Sequence, residues 1–351
     1  MVLIPKSVLI IYCPLSGPRH SAENLKRVRK PLERLLSENG IEFRYEDRLL
    51  PYDAIKRYGQ DYPFDILLGG DSALKYMVQG MVEEGLNEGG LIAQFKFGSG
   101  NDFLSANGIS SIDDTFEALR GFFSQPDEFS RRVDLLAAKI DDTQRVEYGT
   151  FMIGFGLSAN IAYRTSFRMK KHLPGQFAYK TAVYRTLVQD YWGLKTRVKV
   201  STNRGEELEA ELISLMVCNG PYAGAGMMPV PWAEIDDGVL NLFGVDMMNP
   251  VRLARVFDRV YDGSHVELKE CHFLDGESFE IEFEKGLLTQ IDGEVIKKGG
   301  RPVKPHKVEV QVLPKALSCI YLPTKQRHAT QSYPPQKARN ANKPRFDRRR
   351  F

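Results

Sequence analysis

The sequence predicts two domains, an α/β domain built on a parallel sheet followed by a mostly β domain, and three observations lead there. Short apolar runs alternate with stretches of helical period up to about residue 125. Beyond that point longer strand-like runs take over. The length, 351 residues with 42% apolar side chains, exceeds what one core usually holds. The expected boundaries are 1–128 for the first domain and 129–313 for the second, with about 314–322 returning to complete the first and 323–351 left as a tail.

Val8 to Tyr12 is a wholly apolar run, the pattern of a buried strand, and Leu25, Val28, Leu32, Leu35 and Leu36 then recur at helical spacing until Gly40 closes the segment. Ile41 to Tyr45 reads as a second strand, Tyr52 to Tyr58 as a short helix and Phe64 to Leu68 as a third strand. Leu74 to Gly80 reads as a helix and Leu91 to Phe95 as the fourth strand. Such alternation implies a parallel sheet covered on both faces, with ligands at the carboxyl ends of its strands. In the second half Val133 to Ile140, Arg197 to Ser201, Glu211 to Cys218, Leu240 to Val245, Phe279 to Glu284 and Val308 to Leu313 read as strands. Helical segments are expected at Ala178 to Trp192 and Val251 to Tyr261.

Charge is unevenly placed. Lys325 to Phe351 holds nine Lys/Arg against Asp347, a net of +8 in a chain of net +3, so the rest stands at −5. That composition reads as a solvated, disordered arm on a mildly acidic body, with anionic lipid or nucleic acid as the partners its charge would suit. The four cysteines, Cys13, Cys218, Cys271 and Cys319, are widely spaced and lie in or near apolar runs, which reads as buried free thiols in a reducing compartment. Val8 to Cys13 is far shorter than the roughly 20 residues that span a bilayer, so it is expected as a strand and any membrane contact as peripheral. Oligomeric state leaves no mark in the sequence.

Two turns rich in glycine and aspartate follow predicted strands. Gly69, Gly70 and Asp71 lie between the third strand and a helix, where glycines let backbone N–H groups approach a phosphate and an acid can hold a cation. Gly98, Ser99, Gly100, Asn101 and Asp102 follow the fourth strand and would line the same crevice. Two further clusters, Pro229 to Gly238 with Glu234, Asp236 and Asp237, and Asp292-Gly293-Glu294, are each by themselves most simply turns. Met227, Met228, Val230 and Trp232 read as ordinary core rather than an acyl-chain cleft. The histidines have no metal-ligand spacing, and neither a G-x-x-x-x-G-K-[ST] loop, an H-R-D or D-F-G motif, nor a G-x-S-x-G elbow occurs.

Taken in order, these clusters resemble the diacylglycerol and lipid kinase family. Cys13 to Gly17 is similar to its N-P-x-S-G, Gly69 to Ala73 to G-G-D-G-T, and Phe97 to Phe103 to P-x-G-T-x-N-D-F. Gly154 to Ile161 resembles G-x-G-x-D-A, Gly175 to Tyr179 the L-G-x-x-x-Y segment, Pro229 to Asn241 the P-x-A-x-x-x-D-G-x-L segment, and Gln290 to Glu294 the Q-x-D-G-E segment. The resemblance runs from about residue 7 to 322.

It implies an α/β domain similar to that of NAD kinases, a mostly antiparallel β-sandwich domain, and nucleotide bound between them. The implied activity is transfer of the γ-phosphoryl group of ATP to a lipid hydroxyl with Mg²⁺, from the cytoplasm at the inner surface of a membrane. Ser16, Gly17, Gly69, Gly70, Asp71, Ser72, Gly98, Ser99, Asn101 and Asp102 would hold nucleotide and metal. Glu234, Asp237 and Val239 would form a cation-binding loop using backbone carbonyls, and Asp292 with Glu294 the catalytic acid pair beside Asp71. Ser72, Ala73 and Cys13 depart from the pattern. A Cβ at position 72 would clash where φ is positive or where a phosphate must approach closely, and Ala73 lacks a hydroxyl whose bond to phosphate is worth on the order of 1.5–3 kcal/mol.

Overall fold

The computed structural model describes residues 2–323 apart from 17–20, 99, 142, 144, 166–180, 184, 187–188 and 225. Four strands, β1 (Ser7–Tyr12), β2 (Glu42–Glu46), β3 (Phe64–Gly69) and β4 (Leu91–Lys96), form a parallel sheet in the order 2-1-3-4. The period of two along each strand divides its side chains between two cores. Leu9, Ile11, Leu67 and Ile92 pack with α2 (Pro51–Tyr58) and α3 (Asp71–Glu83). Val8, Ile10, Ile66, Leu68 and Phe95 face the other way, toward α1 (Ser21–Glu38) and α5 (Ile112–Ser124). The short α4 (Asp102–Ala106) and α6 (Pro126–Phe129) fill the connections. Helix α5 lay outside the sequence reading, although Ser111 and Asp114 form a capping box that marks its start.

The second domain is antiparallel apart from its junction with the first. Its strands are β5 (Ser130–Ile140), β6 (Val146–Gly149), β7 (Met152–Gly156), β8 (Thr196–Thr202), β9 (Glu207–Cys218), β10 (Leu240–Asp246), β11 (Cys271–Gly276), β12 (Ser278–Phe283), β13 (Thr289–Ile291), β14 (Glu294–Val295) and β17 (Lys307–Ile320). Leu136, Ile153, Phe155, Val200, Val217, Leu242, Ile281 and Val308 fill its interior. Two helices, α7 (Leu157–Arg164) and α8 (Pro250–Arg259), pack outside it, and β15 (Lys297–Lys298) with β16 (Arg301–Pro302) makes a separate hairpin. Of the helix expected at Ala178 to Trp192, the described residues 181–183, 185–186 and 189 are helical, and Gly175 to Tyr179 and the basic tail fall outside the described residues.

Strand β17 joins the halves. It pairs antiparallel with β5 and β12, then at Ser318 and Cys319 pairs parallel with β4. A register shift between Leu313 and Leu317, with Lys315 at φ 49°, bends it from one sheet to the other. The apolar run that predicts this strand ends at Leu313, and the bulge lets the strand continue past Pro314.

Candidate active site

A cleft of about 770 Å³ opens between the domains, and it gathers residues far apart in sequence. Ser16, Gly70, Asp71, Ser72, Gly98 and Asp102 line it from the first domain, and Asp292 and Glu294 from the second. Gly69 and Asn101 stand immediately behind, while Gly17 and Ser99 lie outside the described residues.

The first wall is made of backbone. Gly70 and Gly98 sit at the ends of neighbouring strands, and a Cβ added to Gly70 would lie 2.7 Å from Gly98 Cα. Neither position tolerates a side chain, so the two turns close on each other and leave bare amides at the start of α3. Ser16 Oγ accepts from Gly70 N–H at 3.0 Å. Asp71 Oδ2 accepts from Asn101 N–H at 2.6 Å, and Asn101, in the left-handed region at φ 61°, clasps Gly98 through both its amide atoms. Ser72 lies in the first turn of α3 and has no positive φ, so the expected backbone clash at that position is absent.

The second wall is made by a carboxylate. Asp292 and Gly293 form the two-residue turn between β13 and β14, as Asp-Gly pairs commonly do. The Asp292 side chain turns back into the protein, where Oδ2 accepts from Thr150 N–H (2.6 Å) and Thr150 Oγ1 (3.0 Å) and Oδ1 from the N–H groups of Phe151 and Met152 (both 2.9 Å). Burial nevertheless raises its pKa, against those four donors. Glu294 is half-buried and accepts no hydrogen bond among the described residues.

Negative charge accumulates between the walls. The pKa of Asp102 is raised to about 7, chiefly by burial and next by Asp71, with Asp292 adding further. Its Oδ2 accepts from Gly224 N–H at 2.6 Å, a bond that crosses between the domains. A second crossing lies behind the cleft, where the buried Lys75 of α3 pairs with Glu147 of β6 at 2.6 Å and Gln79 bonds the backbone of Val146 and Tyr148. Gly224, Thr150 and Glu147 had no local sequence signal, because each meets its partner across 72 to 142 residues.

Glu234, Asp237 and Val239 are not part of this cleft. Their turn is fixed by Asp134, whose Oδ2 accepts from Gly238 N–H at 2.7 Å, and Asp237 accepts from Val239 N–H at 2.9 Å. Asp237 is pushed up to about 6 by burial, opposed by the Val239 bond and reinforced by Glu234, Asp134 and Asp236. Among the described residues no three acidic, histidine or cysteine side chains are grouped to hold a metal alone. Met227 and Val230 are buried in the core, and Met228 and Trp232 are half-buried; none of the four lines the cleft.

Residues 152–321 match the family described as the YegS C-terminal NAD kinase beta sandwich-like domain. The chain is 27% identical over 261 residues to a Shewanella frigidimarina protein named "Probable lipid kinase YegS-like", covering 74% of this chain and 76% of that one. It is 26% identical over 297 residues to a diacylglycerol kinase of Staphylococcus haemolyticus, covering 82% of each. Among solved structures, a diacylglycerol kinase from Bacillus anthracis superposes with a TM-score of 0.64 at 18% identity, over 92% of this chain and all of that one. An NAD kinase from Archaeoglobus fulgidus solved with ATP superposes with a TM-score of 0.51 at 10% identity, over 92% of this chain and 96% of that one. Residues 152–321 thus resemble the YegS C-terminal domain, and the chain is similar to proteins named as bacterial lipid and diacylglycerol kinases.

Proposed function

We propose that this protein transfers the γ-phosphoryl group of ATP to the hydroxyl of a lipid, with Mg²⁺ as the working cation. One observation carries this reading: two turns that meet glycine to glycine, and four acidic residues, Asp71, Asp102, Asp292 and Glu294, line one cleft between the domains. Phosphoryl transfer asks for positioning and charge neutralisation more than covalent help, and this inventory supplies both. The lipid acceptor is supported by the names of the relatives, and ATP by the similar NAD kinase fold that was solved with it.

The triphosphate would lie against the amides of Asp71 and Ser72, where the N-terminus of α3 favours anions. Asp71 and Asp102 would hold Mg²⁺, which neutralises phosphate charge. Such ions commonly take one or two carboxylates plus phosphate oxygens, which fits a site without a three-ligand cage. Burial raises Asp102 most and Asp71 next, and a divalent cation held between the two carboxylates would offset both. The turn of Glu234, Asp237 and Val239 would hold a second cation through backbone carbonyls.

In the transfer, the lipid oxygen bonds the γ-phosphorus while the bond to the β–γ bridging oxygen breaks and its electron pair leaves on ADP. The hydroxyl proton passes to Glu294. Asp292 is the less suitable base, because its two oxygens already take four donors, and it acts as a positioning residue for the hairpin that carries Glu294.

The deciding experiment follows label from [γ-³²P]ATP with Mg²⁺ into a total lipid extract, with Asp71→Asn as control. A labelled lipid absent from the control is the expected result. Label found only in water-soluble product would replace the lipid acceptor with a small molecule. ATP binding without any labelled product would make the protein a nucleotide-binding member whose altered Ser72 and Ala73 have ended turnover.

A further inference from the structure

The hairpin formed by β15 and β16, beside the cleft, carries charge of one sign. Residues 297 to 304 contain Lys297, Lys298, Arg301 and Lys304 and no acid, all four exposed. Gly299 and Gly300 form the turn with φ of 57° and 79°, and nothing lies within 4 Å of where their Cβ atoms would be, so the tip stands in open solvent. Lys298 and Arg301 are direct cross-strand partners. Like charges placed opposite each other oppose pairing, so the hairpin is held from its base, where Ile296 and Val303 are buried and Val303 N–H bonds Ile296 C=O at 2.9 Å.

On the strands of this domain Lys139 pairs with Glu309, Arg197 with Glu209 and Lys307 with Glu280, and Lys195 just before β8 pairs with Glu211, while exposed Lys199 and Lys315 are in no such pair among the described residues. None of the four hairpin cations is in an ion pair among the described residues. The hairpin also reaches the cleft, since Val295 and Lys297 line its mouth. Around the same mouth stand Leu15, Leu50 and Tyr163, 61%, 60% and 54% exposed, an apolar rim left open to water. The +8 tail would draw the chain toward an anionic bilayer whichever way it is turned, whereas on a body of net −5 a basic point sets which face turns to the lipid.

We propose that this hairpin is a docking finger for an anionic bilayer, which it engages with Lys298 and Arg301 so that the apolar rim and the cleft mouth face the lipid. The purpose of the finger rests on the kinase reading; its existence does not. Vesicle flotation of the full chain tests it, with phosphatidylcholine alone and with phosphatidylglycerol added, comparing wild type, Lys298→Ser/Arg301→Ser, and an Arg348→Ser/Arg349→Ser/Arg350→Ser variant of the tail. The hairpin variant should bind the phosphatidylglycerol vesicles about 30-fold more weakly, the loss expected for two cations at an anionic surface, with an unchanged or higher melting temperature. The tail variant should lose less. Unchanged binding of the hairpin variant would overturn the proposal, as would a loss equal on both vesicle types. Turnover of a short-chain lipid dispersed as monomers should stay at the wild-type rate. If neither protein turns it over while the vesicle difference persists, the kinase reading fails and the docking finger stands.

Discussion

Asp65 in β3 and Asp292 after β13 are both buried carboxylates, 1% and 8% exposed, and burial raises the pKa of each. Their surroundings are opposite. Asp292 is surrounded by four donors from Thr150, Phe151 and Met152, whereas Asp65 sits between Leu9 and Ile92 of the flanking strands with Oδ1 unpartnered. The difference separates a carboxylate that the fold holds in place from one that the fold merely tolerates. Desolvation acts on both, and only the donors show which is built in.

The largest effect should come from dividing the acid pair of the second wall. Glu294→Gln is expected to lower kcat by roughly 10²–10⁴-fold, the usual worth of a general base, with a melting temperature near that of wild type. Asp292→Asn should lose turnover and stability together. Its NH₂ group would face backbone N–H donors, which costs on the order of 2–5 kcal/mol and lowers the melting temperature by about 4–10 °C. Loss of turnover without loss of stability in Asp292→Asn would make Asp292 the base and reverse the assignment.

The smaller test of the pair falls on Asp65. A carboxyl raised above its unfolded value contributes its full stability below the ordinary carboxylate range, and that contribution is lost as pH rises through the folded value. Asp65→Asn removes this loss. The variant should melt about 2–6 °C higher than wild type at pH 8, with the gain shrinking toward pH 4. Equal melting temperatures at both pH values would mean that Asp65 is satisfied in the native protein.

What could be read from the sequence was local. The apolar runs of β1, β3 and β4, and the Gly/Asp turns that follow the last two, are set by period and by residues next to one another, and the turns do meet in one crevice. What escaped was held by distant partners. Asp292 read as a hairpin turn, which it is, but its donors lie 140 to 142 residues away. The continuation of β17 past Pro314 depends on a bulge that Asp134 stabilises by accepting from Lys315 N–H, 181 residues distant. The Lys75–Glu147 pair, which couples the helix of the first wall to the second domain, spans 72. No window of sequence contains these contacts, and they orient the two walls toward each other.

Ala73 is the counterpart of Asp65 at the cleft: an apolar residue where a polar one would be useful. It is 4% exposed, lines the cleft in the first turn of α3, and its Cβ would be 2.9 Å from a Cβ on Gly69. The neighbouring Ser72 is on helical backbone, so Ser72→Gly relieves no strain and carries only the helix penalty of glycine, up to about 1 kcal/mol. The two departures therefore separate. Ala73→Thr alone should raise turnover, by about tenfold if one hydroxyl bond to phosphate is restored, while Ser72→Gly leaves it equal or slightly lower. If Ala73→Thr changes nothing and Ser72→Gly lowers turnover sharply, the hydroxyl of Ser72, a residue that lines the cleft, has taken over the contact, and the phosphate turn has been rebuilt rather than weakened.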